Sequence, residues 1–192
     1  GCVEQALAEI LPLAEEKNLS LTVNLEPAGR PLVADPYQIE QVLLNLLDNA
    51  CKFTPKNGVI EVRGYPWLWE RRDGVRAQVA GRERRGIRSA LPNAYRVEIR
   101  DSGPGVAEHL IEGMFREYSP FGGTRDRSGG GLGLAICKMI VEAHRGDIFA
   151  YNSPEGFTFA FVLPFASEAL PAPLPPADRQ RSGATERPGQ GG

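Results

Sequence analysis

Apolar residues recur at helical spacing in three stretches of this chain, and shorter runs between them read as strands. The central stretch, residues 35–54, carries Ile39, Val42, Leu43, Leu46, Leu47 and Ala50 on one helical face. Pro36 suits the first helical turn, where its missing N–H costs nothing, and Asp35 before it can cap. At about 100° per residue, Gln41, Asn45, Asn49 and Lys52 form a second, polar stripe about 130° round from the first. Asn is a poor helix former because its side chain competes for nearby backbone groups. A lone Asn would read as part of a solvated face. Two of them four residues apart, aligned with a Lys, point instead to a site for a metal-bound phosphate.

The other elements follow from the same pattern. Residues 2–17 are predicted as a helix through Val3, Leu7, Ile10 and Leu11, with Pro12 as a kink or early stop. Leu19, Leu21, Val23 and Leu25 alternate with polar residues, as in a half-buried strand. Residues 31–34 offer a short strand before the central helix. Residues 58–64 and 95–100 give two more, the second with Tyr95, Val97 and Ile99 on one face. A short helical piece follows at 107–112. Leu132, Ile136, Met139, Ile140 and Ala143 mark a further amphipathic helix, stopped by Gly146. Residues 147–151 and 157–163 read as two closing strands, with Gly156 in the turn.

Composition narrows the class. A chain of 192 residues allows one domain with a proper core and some tail. The formal charge of −2 gives no global pull towards nucleic acid or anionic membrane. Cys2, Cys51 and Cys137 have no paired spacing, which argues against a disulfide framework or zinc site and fits a reducing compartment. No apolar run reaches membrane-spanning length, and no signal peptide is visible. The chain opens at Gly1 directly in a helical pattern, and is expected to be a fragment of something longer.

Two long segments interrupt the pattern. Residues 65–94 hold seven arginines and three acids. This insertion reads as a mobile basic loop, or as a docking surface for an acidic partner anchored by Trp67 and Trp69. A nucleic-acid role is disfavoured, because no stacking aromatics interleave the arginines. Residues 113–131 are rich in glycine and carry Arg125 and Arg127, as a flexible lid would. Beyond the last strand, prolines and glycines over 166–192 read as a disordered tail.

Two glycine-rich turns carry further chemistry. Asp101-Ser-Gly-Pro-Gly105 follows a strand, where a carboxylate can accept a hydrogen bond from an exocyclic amine such as that of adenine. Gly129-Gly-Gly-Leu-Gly133 precedes a helix, whose free N–H groups and dipole favour anions. It lacks the Gly-Lys-Ser/Thr ending of a P-loop, and no strand leads directly into it as in a dinucleotide fingerprint.

The order of these parts resembles the catalytic ATP-binding domain of sensor histidine kinases, within the wider Bergerat-fold ATPases, over residues 1–165. The resemblance implies a two-layer α/β sandwich, a mixed sheet covered on one face by three helices. NLLDNACK is similar to the family's N box, which implies Asn49 as a Mg²⁺ ligand, Asn45 assisting the metal and phosphates, and Lys52 meeting a phosphate oxygen. DSGPG is similar to the first glycine box, which implies Asp101 reading the adenine amine between Gly103 and Gly105. Phe115 and Tyr118 stand where the family has its lid aromatics. GGGLGL is similar to the second glycine box, which implies Gly129, Gly131, Leu132 and Gly133 along the phosphates. Gly156-Phe-Thr-Phe159 resembles the last glycine box, or a hairpin turn. Pro120 stands where the family often has Arg, so Arg125 or Arg127 would supply that cation. The 65–94 insertion has no counterpart in the family pattern.

The implied reaction moves the γ-phosphoryl group of ATP to a histidine on a dimerisation domain of the same protein, for passage to a response-regulator receiver domain. His109 is followed by Leu110 and His144 by Arg145, so neither fits the acceptor pattern of a His followed by an acid. The parent is implied to be a homodimer, with this domain cytoplasmic and the whole anchored in the bacterial inner membrane. A serine kinase of the anti-sigma-factor kind would use a similar pocket. Chaperone, topoisomerase and mismatch-repair ATPases place a Glu base where this chain has Asn45, which argues against hydrolysis. A non-catalytic nucleotide-binding module is the remaining reading.

Overall fold

The computed structural model describes residues 1–69, 91–116 and 132–166. The arginine-rich part of the insertion, the lid positions from 117 to 131 and the tail beyond 166 lie outside the described residues. Helix α1 (Cys2–Glu16) leads to strand β1 (Ser20–Leu25), then helix α2 (Pro36–Phe53) and strand β2 (Val59–Trp67). Strand β3 (Ala94–Asp101), the single turn α3 (Glu108–Ile111), helix α4 (Gly133–Ala143) and the hairpin β4 (Asp147–Ser153) and β5 (Gly156–Pro164) follow. The strands form one mixed sheet in the order β1-β2-β3-β5-β4. β1 lies parallel to β2, and the remaining pairings are antiparallel.

The inner face of the sheet and the helices share one core. Ile60 and Val62 of β2, Ile99 of β3, Phe159 and Phe161 of β5 pack with Leu43, Leu46 and Leu47 of α2 and Val141 of α4. All six apolar residues predicted for α2 are buried, and Cys51 joins them. Asp35 caps the helix, its carboxylate accepting from the N–H of Tyr37 at 2.9 Å. At the other end, the Lys17 ammonium donates to the carbonyls of Cys51, Lys52 and Thr54 at 2.7, 2.9 and 2.7 Å. These carbonyls have no partner within the helix, so a cation from α1's end satisfies them and opposes the dipole.

Several sequence expectations change. α1 continues through Pro12 to Glu16, so the proline neither kinks the chain out of the helix nor stops it. Ala8 and Pro12 are both exposed, so the carbonyl that loses its partner faces water. α1 buries Ala6 and Ala14 beside the predicted Ile10, with Val3 and Leu7 partly buried against the core, and Leu11 is exposed. Small side chains let α1 lie close on α2. β1 is an edge strand: Leu21, and Leu19 just before it, pack partly buried on the core as expected, while Val23 and Leu25 are exposed. Residues 31–34 make a single bridge, Leu32 to Phe165, in place of a strand. Order runs past Pro164: Phe165 is buried and Ala166 donates its N–H to Pro31. Met139 is exposed despite its helical spacing.

The outer face of the sheet carries its own small cluster. β2 extends to Trp67 and β3 begins at Ala94, so both strands reach into the stretch read as an insertion. Trp69 is buried with Ala94, Phe149, Ala160 and Val162, which is not the exposed anchor that a docking surface needs. The Asn93 side chain accepts from the Trp69 N–H at 2.7 Å and donates to its carbonyl at 3.0 Å. At the centre stands Arg96, 2 % exposed, with its guanidinium 4.7 Å from the Trp67 ring and 4.9 Å from the Phe149 ring. It pairs with Glu98 at 2.7 Å, and the Tyr151 hydroxyl donates to the same carboxylate at 2.8 Å. Burial alone would raise the Glu98 pKa. Arg96, with the hydroxyls of Tyr151 and Tyr65, outweighs it and holds the carboxyl below its usual range.

The Arg96–Glu98 pair sets a testable asymmetry. Arg96→Met leaves buried Glu98 with only Arg63, at 3.9 Å, and the two tyrosine hydroxyls against its charge, and is expected to destabilise the fold by up to about 3–5 kcal/mol. Arg96→Met with Glu98→Leu removes both charges and is expected to recover most of that loss in urea unfolding. Because folding lowers the Glu98 pKa, its contribution is present above the unfolded carboxylate value and is lost as pH falls through the lowered one.

Candidate nucleotide site

The polar stripe of α2 meets the start of α4. Asn45 and Asn49 are both half-buried. A Cβ placed on Gly133 would stand 3.1 Å from the Asn45 side-chain oxygen, so α4 begins against this amide and a larger residue would crowd it. Asn49 Nδ2 donates to the Asn45 carbonyl at 2.7 Å, which turns its Oδ1 outward as an acceptor. Leu132 precedes α4 and makes no side-chain cap bond, and the first N–H groups of a helix have no partner within it. Exposed Lys52 pairs with half-buried Asp48 one turn back at 2.6 Å, so its ammonium sits at the rim. Sequence reasoning did not single out Asp48.

Asp101 ends β3 on the inner face of the sheet and is 3 % exposed. Burial pushes its carboxyl pKa up, and the Gly103 N–H, which donates to Oδ1 at 2.7 Å, partly offsets this. The glycines around it are fixed by close approach. A Cβ on Gly156 would lie 1.9 Å from the Asp101 carbonyl oxygen, and one on Gly103 would lie 2.6 Å from Asp101 Oδ1. Gly156 also has φ +141°, so it serves the hairpin and seats Asp101 at once.

Asp101 opens into a cavity of about 280 Å³. Its wall includes Phe53, Val106, Leu110, Phe157 and Phe159, with Gly105 at one edge. One carboxylate in an otherwise apolar slot suits a flat ring bearing an exocyclic N–H donor. Phe53 lies one turn beyond Asn49 on α2, so the same helix presents an amide and then an aromatic wall. Phe115 packs edge-on to Phe159, 6.5 Å between centroids, at the back of this wall.

The structure therefore groups Asn45, Asn49, Leu132 and Gly133 at one end, and Asp101, Gly103, Gly105 and Phe115 at the other. The cavity wall itself includes neither asparagine. Tyr118, Arg125, Arg127, Gly129 and Gly131 lie outside the described residues, as does Pro120. Phe53, Leu110 and Phe157 were not predicted. Phe53 had one signal: a large apolar side chain four residues after Asn49, off the buried face.

Magnesium would need hard oxygen donors here. The two amide oxygens fit that need, and an ion that keeps several waters and binds phosphate oxygens asks little more of the protein. Among the described residues no group of three or more His, Cys, Asp or Glu forms a metal cluster.

Comparison with known proteins shows the family and the fold. The family described as histidine kinase-, DNA gyrase B-, and HSP90-like ATPase matches residues 34–167. The sensor protein KdpD of Clostridium acetobutylicum is 34% identical over 167 residues, covering 84% of this chain and 16% of that protein. The adaptive-response sensory kinase SasA of a Synechococcus species is 31% identical over 166 residues, covering 85% of this chain and 38% of its own length. The catalytic domain of histidine kinase ThkA superposes with a TM-score of 0.64 at 27% identity, covering 85% of this chain and 90% of that domain. The fold and site define a catalytic ATP-binding domain of the Bergerat kind. The chain belongs to the histidine kinase-, gyrase B- and HSP90-like ATPase family, on its sensor-histidine-kinase branch. It spans well under half the length of these two relatives.

Asp101→Asn keeps the oxygen that accepts from Gly103 but turns a donor towards the base. It is expected to lower ATP affinity about 10–100-fold, the worth of a charged hydrogen bond, with the melting temperature held or raised. Calorimetric titration and a thermal melt check both halves. Because burial raises the Asp101 pKa, ATP affinity is also expected to fall with acidification at a higher pH than for an ordinary carboxylate.

Proposed function

We propose that this chain is the ATP-binding part of a two-component sensor histidine kinase. It presents the γ-phosphoryl group of ATP to a histidine on a dimerisation domain of the same protein, and a response-regulator receiver domain then takes the phosphoryl group. The observation that carries the reading is the single buried carboxylate in the apolar cavity, beside a helix whose Asn45 amide abuts the start of α4. The adenine would lie in the cavity, with its amine on Asp101 and its face towards Phe53. The phosphates would run towards Gly133 and the N–H groups of α4, where a helix start favours anions.

Asn45 and Asn49 would hold Mg²⁺ on the triphosphate, and Lys52 would leave Asp48 for a phosphate oxygen. When bound, the ion neutralises charge on the phosphates. The chain's own task is positioning: fixing the base, aligning the triphosphate and keeping water off the cavity end. Asn45 stands where hydrolytic relatives would have a carboxylate base, and an amide cannot take a proton from water.

Neither histidine of the chain suits the acceptor role. His144 closes α4, with Nδ1–H donating to the Ile140 carbonyl at 2.8 Å and Nε2 accepting from the Asp35 N–H at 3.0 Å. Its lone pair is committed to the cap of α2. His109 sits on the one-turn α3 and is exposed. No helix among the described residues is long and apolar enough to cross a membrane.

Incubated alone with γ-labelled ATP, the chain is expected to gain no acid-labile label. With a separate acceptor domain added, the label is expected on that domain's histidine. Acid-labile phosphate on His109 or His144 would sink the proposal. Asn49→Ala is expected to weaken Mg-ATP binding on the order of tenfold and to leave metal-free ADP binding unchanged, read by titration with and without chelator.

A further inference from the structure

Asn152 has no part in the chemistry above, yet its side chain is fully engaged. It lies on the inner face of β4 with Ile148 and Ala150, exposed near the end of the strand two residues before the hairpin turn, and Asn is disfavoured in strands. Its Oδ1 accepts from the Val106 N–H at 2.9 Å, and its Nδ2 donates to the Val106 carbonyl at 2.7 Å. One amide thus satisfies both backbone groups of one residue, as an opposed residue does in an antiparallel ladder. Val106 belongs to no strand, and this clamp stands in for the partner strand it lacks.

The clamp acts on the wall of the cavity. The loop leaves Asp101, turns through Gly105 at φ +76° and passes Val106 and Ala107 before α3. Ser102 fixes its start, donating its N–H to the Val59 carbonyl at 3.0 Å and accepting from the Val59 N–H at 2.9 Å. Asn152 fixes its far end. Between these two anchors the loop has the 280 Å³ cavity on one side and a second, open cleft of about 510 Å³ against the β4–β5 hairpin on the other. The wall is therefore one chain thick, with a void behind it. The contact is also close: a Cβ on Gly105 would stand 2.6 Å from Asn152 Oδ1. A side chain at 105 could not coexist with the clamp.

We infer that Asn152 is a positioning residue for nucleotide binding, holding Val106 and Gly105 at the distance from Phe53 and Asp101 that a flat base requires. Without it the wall can relax into the cleft behind, and the slot loses its width. The inference rests on the reading of this cavity as the adenine pocket. It concerns the base end alone, since among the described residues Asn152 bonds Val106 and none assigned to the phosphates.

The test compares Asn152→Ala, Asn152→Asp and Asp101→Asn in the whole chain by calorimetric titration with ATP and with adenosine. Asn152→Asp keeps the acceptor but sets a carboxylate oxygen against the Val106 carbonyl. Both Asn152 variants are expected to weaken ATP and adenosine by the same factor, roughly tenfold, the worth of one or two hydrogen bonds. The Val106 amide is expected to exchange with solvent at least tenfold faster, and the melting temperature to move by no more than about 5 °C. Unchanged affinity in both variants, with Asp101→Asn weakened, overturns the inference. So does a loss confined to ATP, or one that merely follows unfolding. If Asp101→Asn also binds as the unaltered chain does, the pocket reading itself has failed.

Discussion

Helix α2 must bury one face completely while its flank stays open to a ligand. Seven of its residues go into the core, against α1, α4 and the sheet. Leaving the large apolar ones among them exposed would forfeit roughly 1.5–3 kcal/mol each, so the rotation of the helix about its axis is not free. Once that rotation is set, Asn45 must face Gly133, and Phe53 must face the cavity beneath Asp101. The site is thus a by-product of core packing. Both ends of the helix are held by groups from elsewhere: Lys17 on the last carbonyls, His144 on the N–H of the capping Asp35.

The two ends of the site are built differently. The end proposed for the phosphates uses two helices that meet, α2 with its amides and the start of α4. The end proposed for the base uses backbone passing close to backbone, which is why glycines dominate it. Gly156 lies almost on the Asp101 carbonyl, and Gly105 lies against Asn152. Asp101 itself is expensive to bury, and its raised pKa records that expense. A carboxylate kept dry in an apolar slot is selective for a partner that can donate a hydrogen bond.

The sheet's second face shows that the domain is more than a one-sided sandwich. Arg96 and Glu98 are buried among Trp67, Phe149 and Tyr151, at the base of the stretch that sets this sequence apart from the compact family pattern. Asn93 ties the backbone of Trp69 to the same place. Strands β2 and β3 therefore emerge from the sheet as a supported stem.

Periodicity alone determined the elements that are long and amphipathic: α2 almost to the residue, α4 and the inner-facing strands. The glycine and asparagine spacing carried the family. Local pattern misplaced what depends on neighbours. It put Leu11 on the apolar face and offered Pro12 as a kink or early stop, because neither the closeness of α2 to the alanines nor the exposure of the Ala8 carbonyl is written in the local sequence. It gave the β1 stretch a buried face along its whole length, where Leu19 and Leu21 pack on the core but Val23 and Leu25 are exposed. Phe53, Leu110, Phe157 and Asn152 come from four separate elements or loops, and no spacing relates them. Tertiary structure decided their meeting, since a cavity wall is set by which backbones pass each other and not by what any one stretch prefers.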